Sequence, residues 1–506
     1  MSLRRILHLV LTSFIGQGVS VITQLLIPPF FLHFYGNGVE VYGEWIALSA
    51  SISYLGTLNY GIQTYANNET TILYNRGEVE ASKAVQSSAL RLMLSLIALF
   101  MTVGSAVFLM PVAEWLNLKH VSSRDASLTI YLLIVQMAVY MLFALLASSY
   151  MVVGKLPRGA HIGNLQRLCM VLALSIAIWM RASFPVLALV QLVTLTLFLL
   201  LLTIDLYRTA PILVPSLRYG SWKQVLAIVK PSGHFMLIAF ASFLTWQGPV
   251  LLIQKVLGSG TVGVFALVRV VFQMSRQILS VASMAVGQDI TLLVGQRNWI
   301  QLRRLYELSE RVVLFLIPVV SIGSLMMCPF LFTVWLHKRT LYEPTLCLLM
   351  AITSAVLGIK EHKTQFQSSS NEHEELSIIA VTGYSVMLLA SIFTMKAFGL
   401  VGFMCTWLAW EIIQTGLILR LNRRLFPAGL HVSMMPIARL ALFLFVAFGL
   451  VVWPSYREVH WPLSTVVGIS VLVTAVMGTV AYFSFDLSEV RSVVESKVRR
   501  KLVPNP

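Results

Sequence analysis

"TVGVFALVRVVFQMSRQILSVASMAVGQDITLLVGQRN" (Thr261–Asn298) and "VYGEWIALSASISYLGTLNYGIQTYANNETTILYNRGE" (Val41–Glu78) are the two stretches from which the architecture follows. Shift the second by 220 residues. Gly43 then falls on Gly263, Glu69 on Asp289, and "ETTILYN" on "DITLLVG". The apolar segments before them align at a shift of 221, with Pro28 on Pro249 and Gln24 on Thr245. The turns between, "YGNGVEVYG" and "LGSGTVG", are both glycine-rich and differ by two residues in length. The chain therefore repeats itself once.

The repeat is built of apolar helices. The 506 residues are 57% hydrophobic and only 11% charged, where a soluble domain carries about 25% charged residues. This is the composition of an integral membrane protein. A spanning helix needs about 20 mostly apolar residues. Fourteen segments qualify: 8–33, 42–66, 86–111, 128–151, 160–180, 184–206, 229–256, 261–287, 311–336, 342–360, 376–396, 399–420, 435–453 and 462–485. The first begins with a basic start and has no small-residue cleavage site, so it reads as a retained span.

The expected fold is all-α and polytopic, with two six-helix lobes and two further helices. The lobes cover 1–210 and 229–425, a cytoplasmic linker 211–228 joins them, and 426–506 adds two spans and a basic tail. Six is even, so both lobes have one orientation and their axis runs along the membrane normal. With both termini inside, the inner segments hold 27 of the 37 Lys and Arg and the outer ones 8, as the positive-inside rule requires. The net charge of +16 thus belongs to topology and anionic lipid rather than to nucleic acid.

Polar residues recur on one face of the leading helices of each lobe, at i, i+3/i+4, i+7. On the eighth span they are Arg269, Gln273, Arg276, Ser280 and Ser283. The second carries Ser49, Ser53, Tyr60, Gln63 and Asn67, with Asn59 beside them. The first carries Gln17, Ser20 and Gln24, and the seventh His234 and Thr245. Polar atoms facing lipid cost free energy unless partnered. The stripes are therefore expected to face a wet cavity between the lobes, or to serve as helix–helix contacts. Arg269 lies roughly 9 Å and Arg276 roughly 20 Å from the outer end of its helix. Arg276 needs a buried acid, a water-filled cavity or an anionic ligand. Glu411, roughly 18 Å deep by the same measure, is the expected acid and, with His234, the candidate for coupling or gating.

Other signals are weaker. "KEHKTQFQSSSNEHEEL" (Lys360–Leu376) reads as a solvated cytoplasmic loop, its His362 and His373 unremarkable. The tail "EVRSVVESKVRRKLVPNP" reads as a surface helix. The four cysteines form no CxxC pair. There is no nucleophile constellation and no nucleotide loop, so neither an enzyme nor a cofactor is expected.

"PPFFLHFYGNGVEVYGEWIALSASISYLGTLNYGIQTYANNETTILYNRGE" (Pro28–Glu78) resembles the polysaccharide and O-antigen flippases of the Wzx type, within the multidrug/oligosaccharidyl-lipid/polysaccharide exporter superfamily. The shared elements are Pro28, Gly36, Tyr42–Gly43–Trp45, Tyr54–Leu55 with Leu58 and Gly61, and Gly77–Glu78. The sequence departs from the pattern at Asn59, where Asp is usual, and at Asn67–Glu69, where a basic residue often follows. Anion binding then falls to Arg269 and Arg276. The resemblance implies a non-enzymatic flippase of the bacterial inner membrane. It would move a polyprenyl-pyrophosphate-linked glycan to the outer face by alternating access through a cationic cavity. Its implied partners are membrane lipid and the polysaccharide polymerase and assembly proteins. The alternative is a multidrug or organic-ion antiporter on the same fold, which would use intramembrane carboxylates.

Overall fold

The computed structural model describes residues 3–153, 155–211, 214–284, 286–370, 374–427, 430, 432–457 and 461–488. Among them there are helices and no strand. Two compact units divide the chain, Met1–Ala266 and Leu267–Pro506. The first contains α1 (Leu3–Phe34), α2 (Gly38–Ile52), α3 (Leu55–Asn75), α4 (Val79–Gly104), the short α5 (Val112–Trp115), α6 (Ser123–Val152), α7 (Leu156–Trp179), α8 (Phe184–Thr209), α9 (Trp222–Trp246), α10 (Gly248–Leu257) and the first turns of α11 (Ser259–Met284). The second contains the rest of α11, then α12 (Gly287–Gly295), α13 (Trp299–Val334), α14 (Pro344–Ser369), α15 (Glu374–Arg424), α16 (Met435–Arg457) and α17 (Leu463–Ser484). The expected surface helix of the tail lies outside the described residues.

Twelve helices among the described residues are long and apolar enough to cross a membrane. One of them, α15, has 51 residues, about 77 Å if straight against a hydrocarbon core of about 30 Å. It bends at Gly399, whose φ of 60° lies in a region that only glycine enters at no steric cost. Gly383 then rests on Trp410, and Gly402 on the Thr394 carbonyl. Tyr384 donates to Glu411. These pairs close α15 into an antiparallel hairpin, the two spans expected at 376–396 and 399–420.

Two other expected spans are each divided. The second is split between α2 and α3 around Ser53–Tyr54. The seventh is split between α9 and α10, where Pro249 opens the new helix. Proline fits a first turn because it has no N–H to leave unpaired. A larger difference concerns the expected loop from Lys360. There α14 runs on to Ser369, and Lys360, His362, Lys363 and Gln367 are buried. The hydropathy fades at Lys360 but the helix does not. His373 lies outside the described residues.

The repeat is visible in the helix ends. Helix α3 ends at Asn75 and α12 at Gly295, while α4 starts at Val79 and α13 at Trp299. Both offsets are 220 residues. Inside the first unit the repeat meets itself. A Cβ on Gly43 would overlap the Ser259 carbonyl, and one on Gly263 would overlap the Val39 carbonyl. Val39 and Ser259 are also 220 apart. Each helix start seats its glycine on the other's carbonyl, as across a local two-fold axis.

Glu44, fully buried, anchors the same region. Its carboxylate accepts from the backbone N–H of Lys119 (2.6 Å) and His120 (3.1 Å) and from the Ser259 hydroxyl (3.2 Å). Elsewhere in this unit α6 packs against α8, α3, α4 and α7. Ile62, Met93, Met141 and Ile228 join α3, α4, α6 and α9 in one core. In the second unit α13 packs on α14, α16 and α17, and α14 packs on α15. Leu197, Leu201, Phe393, Phe445 and Phe483 are exposed, as lipid-facing side chains must be.

The glycine contact gives a test. Gly43→Ala and Gly263→Ala should each destabilise the protein by about 1–3 kcal/mol through overpacking. Gly468→Ala, which meets nothing within 4 Å, should not. Thermal unfolding in detergent reads the difference.

Candidate functional site

The site grows out of one turn of α14. Lys360, Glu361, His362 and Lys363 are consecutive, so they point about 100° apart around the helix. Each finds its partner on a neighbouring helix of the second unit. Lys360 reaches α15, where its amine donates to Glu411 (2.5 Å), Gln414 (3.1 Å) and the Tyr384 hydroxyl. Glu361 reaches α11 and pairs with Arg276. His362 reaches Ser309 of α13 at 2.9 Å, and Lys363 reaches Glu310 of α13 at 2.5 Å. The Lys363 amine also lies 3.8 Å from the Tyr306 ring centroid, a cation–π contact.

The polar face continues along α14. Gln367 donates to Asn422 (2.6 Å), and Asn422 donates to the Lys363 carbonyl (3.0 Å).

Three cations thus face three carboxylates: Arg276 with Glu361, Lys360 with Glu411, Lys363 with Glu310. A lone ion taken out of water costs several kcal/mol, and only a close counter-ion with further hydrogen bonds offsets that cost. The three pairs differ in access. Side-chain exposure is 1% and 3% for Lys363 and Glu310, 11% and 0% for Lys360 and Glu411, and 20% on both sides for Arg276 and Glu361. The first two pairs are closed and the third is open.

Their hydrogen bonding differs in the same sense. Glu411 accepts from Lys360, from the Tyr384 hydroxyl (2.7 Å) and from the Trp407 indole (3.0 Å). Glu361 accepts from Arg276 through Oε1, while its buried Oε2 has no hydrogen-bond partner among the described residues.

The Arg276–Glu411 bridge, one of the alternatives open in the sequence, does not form. Each has a different partner, because Lys360 and Glu361 project from α14 toward both. Of the other residues singled out in the sequence, Arg269 and Gln273 share α11 with Arg276 and are half-buried. Gln17, Gln24 and Gln63 belong to the first unit. Gln63 donates to the Ala144 carbonyl on α6 (2.8 Å) and so joins two helices. Gln24 donates to Ser20 (3.3 Å), and Gln17 is exposed. The side chains of Asn59 and His234 lie outside the described residues.

Glu361, Lys360, Lys363 and Glu310 escaped the sequence reading. A signal was present: Lys360, Lys363 and Gln367 keep the i, i+3, i+7 spacing of one helix face.

No protein-family model matches the chain, and no curated protein matches it. Solved structures do. The lipid II flippase MurJ, in an inward closed conformation, superposes with a TM-score of 0.70 at 12% identity, over 97% of this chain and 100% of that one. The chain has the fold of a membrane transporter. An inward-facing multidrug resistance MATE transporter of the MOP superfamily gives 0.65 at 13% identity, over 83% of this chain and 98% of that one. A MOP superfamily transporter from Pyrococcus furiosus gives 0.55 at 12%, over 83% and 95%.

The closed pair makes a structural prediction. Lys363→Met should destabilise by about 3–5 kcal/mol, because it strands Glu310. Adding Glu310→Leu should recover most of that loss. A double-mutant cycle on the unfolding midpoint measures it.

Proposed function

We propose that the chain is a flippase for a lipid-linked oligosaccharide, carrying a polyprenyl-pyrophosphate glycan from the inner to the outer face of a bacterial plasma membrane. One observation carries the reading. Arg276 sits within a membrane-spanning helix, and its ion pair is the accessible one of the three. A guanidinium grips phosphate oxygens through a planar fork, and a pyrophosphate is a ligand strong enough to compete with a carboxylate for it. Arg269, seven residues away on the same helix, adds a second cation.

The fold is consistent with such cargo. The lipid II flippase structure superposes over 97% of this chain, whereas the multidrug transporter does so over 83%. In this reading Gln273, on the same helix as Arg276, would serve the sugar hydroxyls. A polysaccharide polymerase and assembly proteins would take the product. The antiporter reading needs a carboxylate available to an organic cation, and Glu310, Glu361 and Glu411 each already face a Lys or Arg.

Mass spectrometry of lipids co-purifying from native membranes tests the proposal. Wild type should carry a polyprenyl-pyrophosphate glycan, and Arg269→Ala/Arg276→Ala should lose it while still folding. A wild-type protein without such a lipid, or a double variant that keeps it, would overturn the reading.

A further inference from the structure

The accessible pair has a consequence for protons, which rests on the proposed phosphate ligand. With the site empty, Arg276 and Glu361 cancel. A ligand that takes the guanidinium leaves the Glu361 carboxylate without its counter-ion. Helix α14 holds it in place, its Oε2 already lacks a hydrogen-bond donor, and it is four-fifths covered.

The cations that flank Glu361 on α14 are already paired. Lys360, its neighbour on α14, is committed to Glu411, Gln414 and Tyr384 of α15. Lys363 is committed to Glu310 of α13. His362 is turned to Ser309. A largely buried carboxylate stripped of its partner is more stable neutral.

We propose that Arg276 and Glu361 form a charge-exchange site. An anionic phosphate displaces Glu361 from Arg276, and the Glu361 carboxylate takes up one proton from the bulk solution, where the buffer supplies it. On release of the ligand the proton leaves and the pair closes again. The exchange offsets one of the ligand's negative charges: the site holds arginine with carboxylate when empty, and arginine with phosphate beside a neutral acid when filled. Glu361 is thus a positioning and proton-carrying residue, distinct from Glu411, whose oxygens are already held by three donors.

The test is calorimetric binding of farnesyl pyrophosphate to purified full-length protein in buffers of differing ionisation enthalpy. Wild type should take up about one proton more per ligand than Glu361→Gln. The variant should bind tighter, since the Glu361 carboxylate no longer competes for Arg276. Its affinity should also lack the tenfold weakening per pH unit that one linked proton imposes. If both bind with equal proton uptake, the exchange is wrong and the flippase reading stands. If wild type does not bind, or Arg276→Ala binds as well as wild type, the phosphate site itself is wrong. If inorganic pyrophosphate binds as tightly as the prenylated form, the exchange stands and the lipid specificity falls. Should Glu361→Gln fail to fold, wild-type uptake beyond the ligand's own titration decides the point, and its absence overturns the exchange.

Discussion

Charge inside an apolar bundle must be matched, and the second unit is organised around that constraint. Helix α14 presents four ionisable residues in a single turn, and α11, α13 and α15 each supply what that turn requires. The rotation of those helices about their own axes is restricted by it. Glu310 must face Lys363, Glu411 must face Lys360, and Arg276 must face Glu361. Replacing one partner of either closed pair leaves a buried ion without its counter-ion. Apolar packing of Tyr306, Phe366 and Phe426 fills the space beside the network, but non-directional packing alone would tolerate other rotations.

The first unit solves a different problem. Its closest approach is between backbones, at Gly43 and Gly263, where no side chain fits. Small residues let membrane helices approach closely when burying apolar surface gains nothing relative to lipid. The buried Glu44 carboxylate ties the loop at Lys119–His120 to the same junction through backbone N–H groups. It is a fully occupied acceptor in a structural role. Sequence position near a helix end says nothing of that, because its donors lie about 75 residues further on.

The graded exposure of the three ion pairs separates stability from function. A closed pair holds helices in register. An open pair on the same turn shares that chemistry and is also within reach of a solute. In the sequence Glu411 stands out because it interrupts an otherwise apolar span. In the structure its saturation by Lys360, Tyr384 and Trp407 makes it less available than Glu361. Glu361 looked like part of a polar loop because its neighbours are polar. They are polar because each answers a group on another helix.

That the chain is a set of apolar helical crossings, and that two of its stretches correspond at an offset of 220 residues, was legible in the chain itself. Lipid forces each crossing to be a helix with its backbone satisfied internally, so a crossing is a local property that a run of apolar residues announces. Gly43 and Gly263 were legible as equivalent positions for the same reason, since a repeat is a comparison of the chain with itself. The bend at Gly399, the division of α2 from α3, and the continuation of α14 past Lys360 were less so. There the helix persists or stops according to what packs beside it rather than according to hydropathy. The pairing of charges was decided by tertiary structure alone. Arg276 and Glu361 are 85 residues apart and Lys360 and Glu411 are 51 apart. Depth along a helix follows from counting residues, whereas which side chain lies opposite depends on how each helix is turned toward its neighbours.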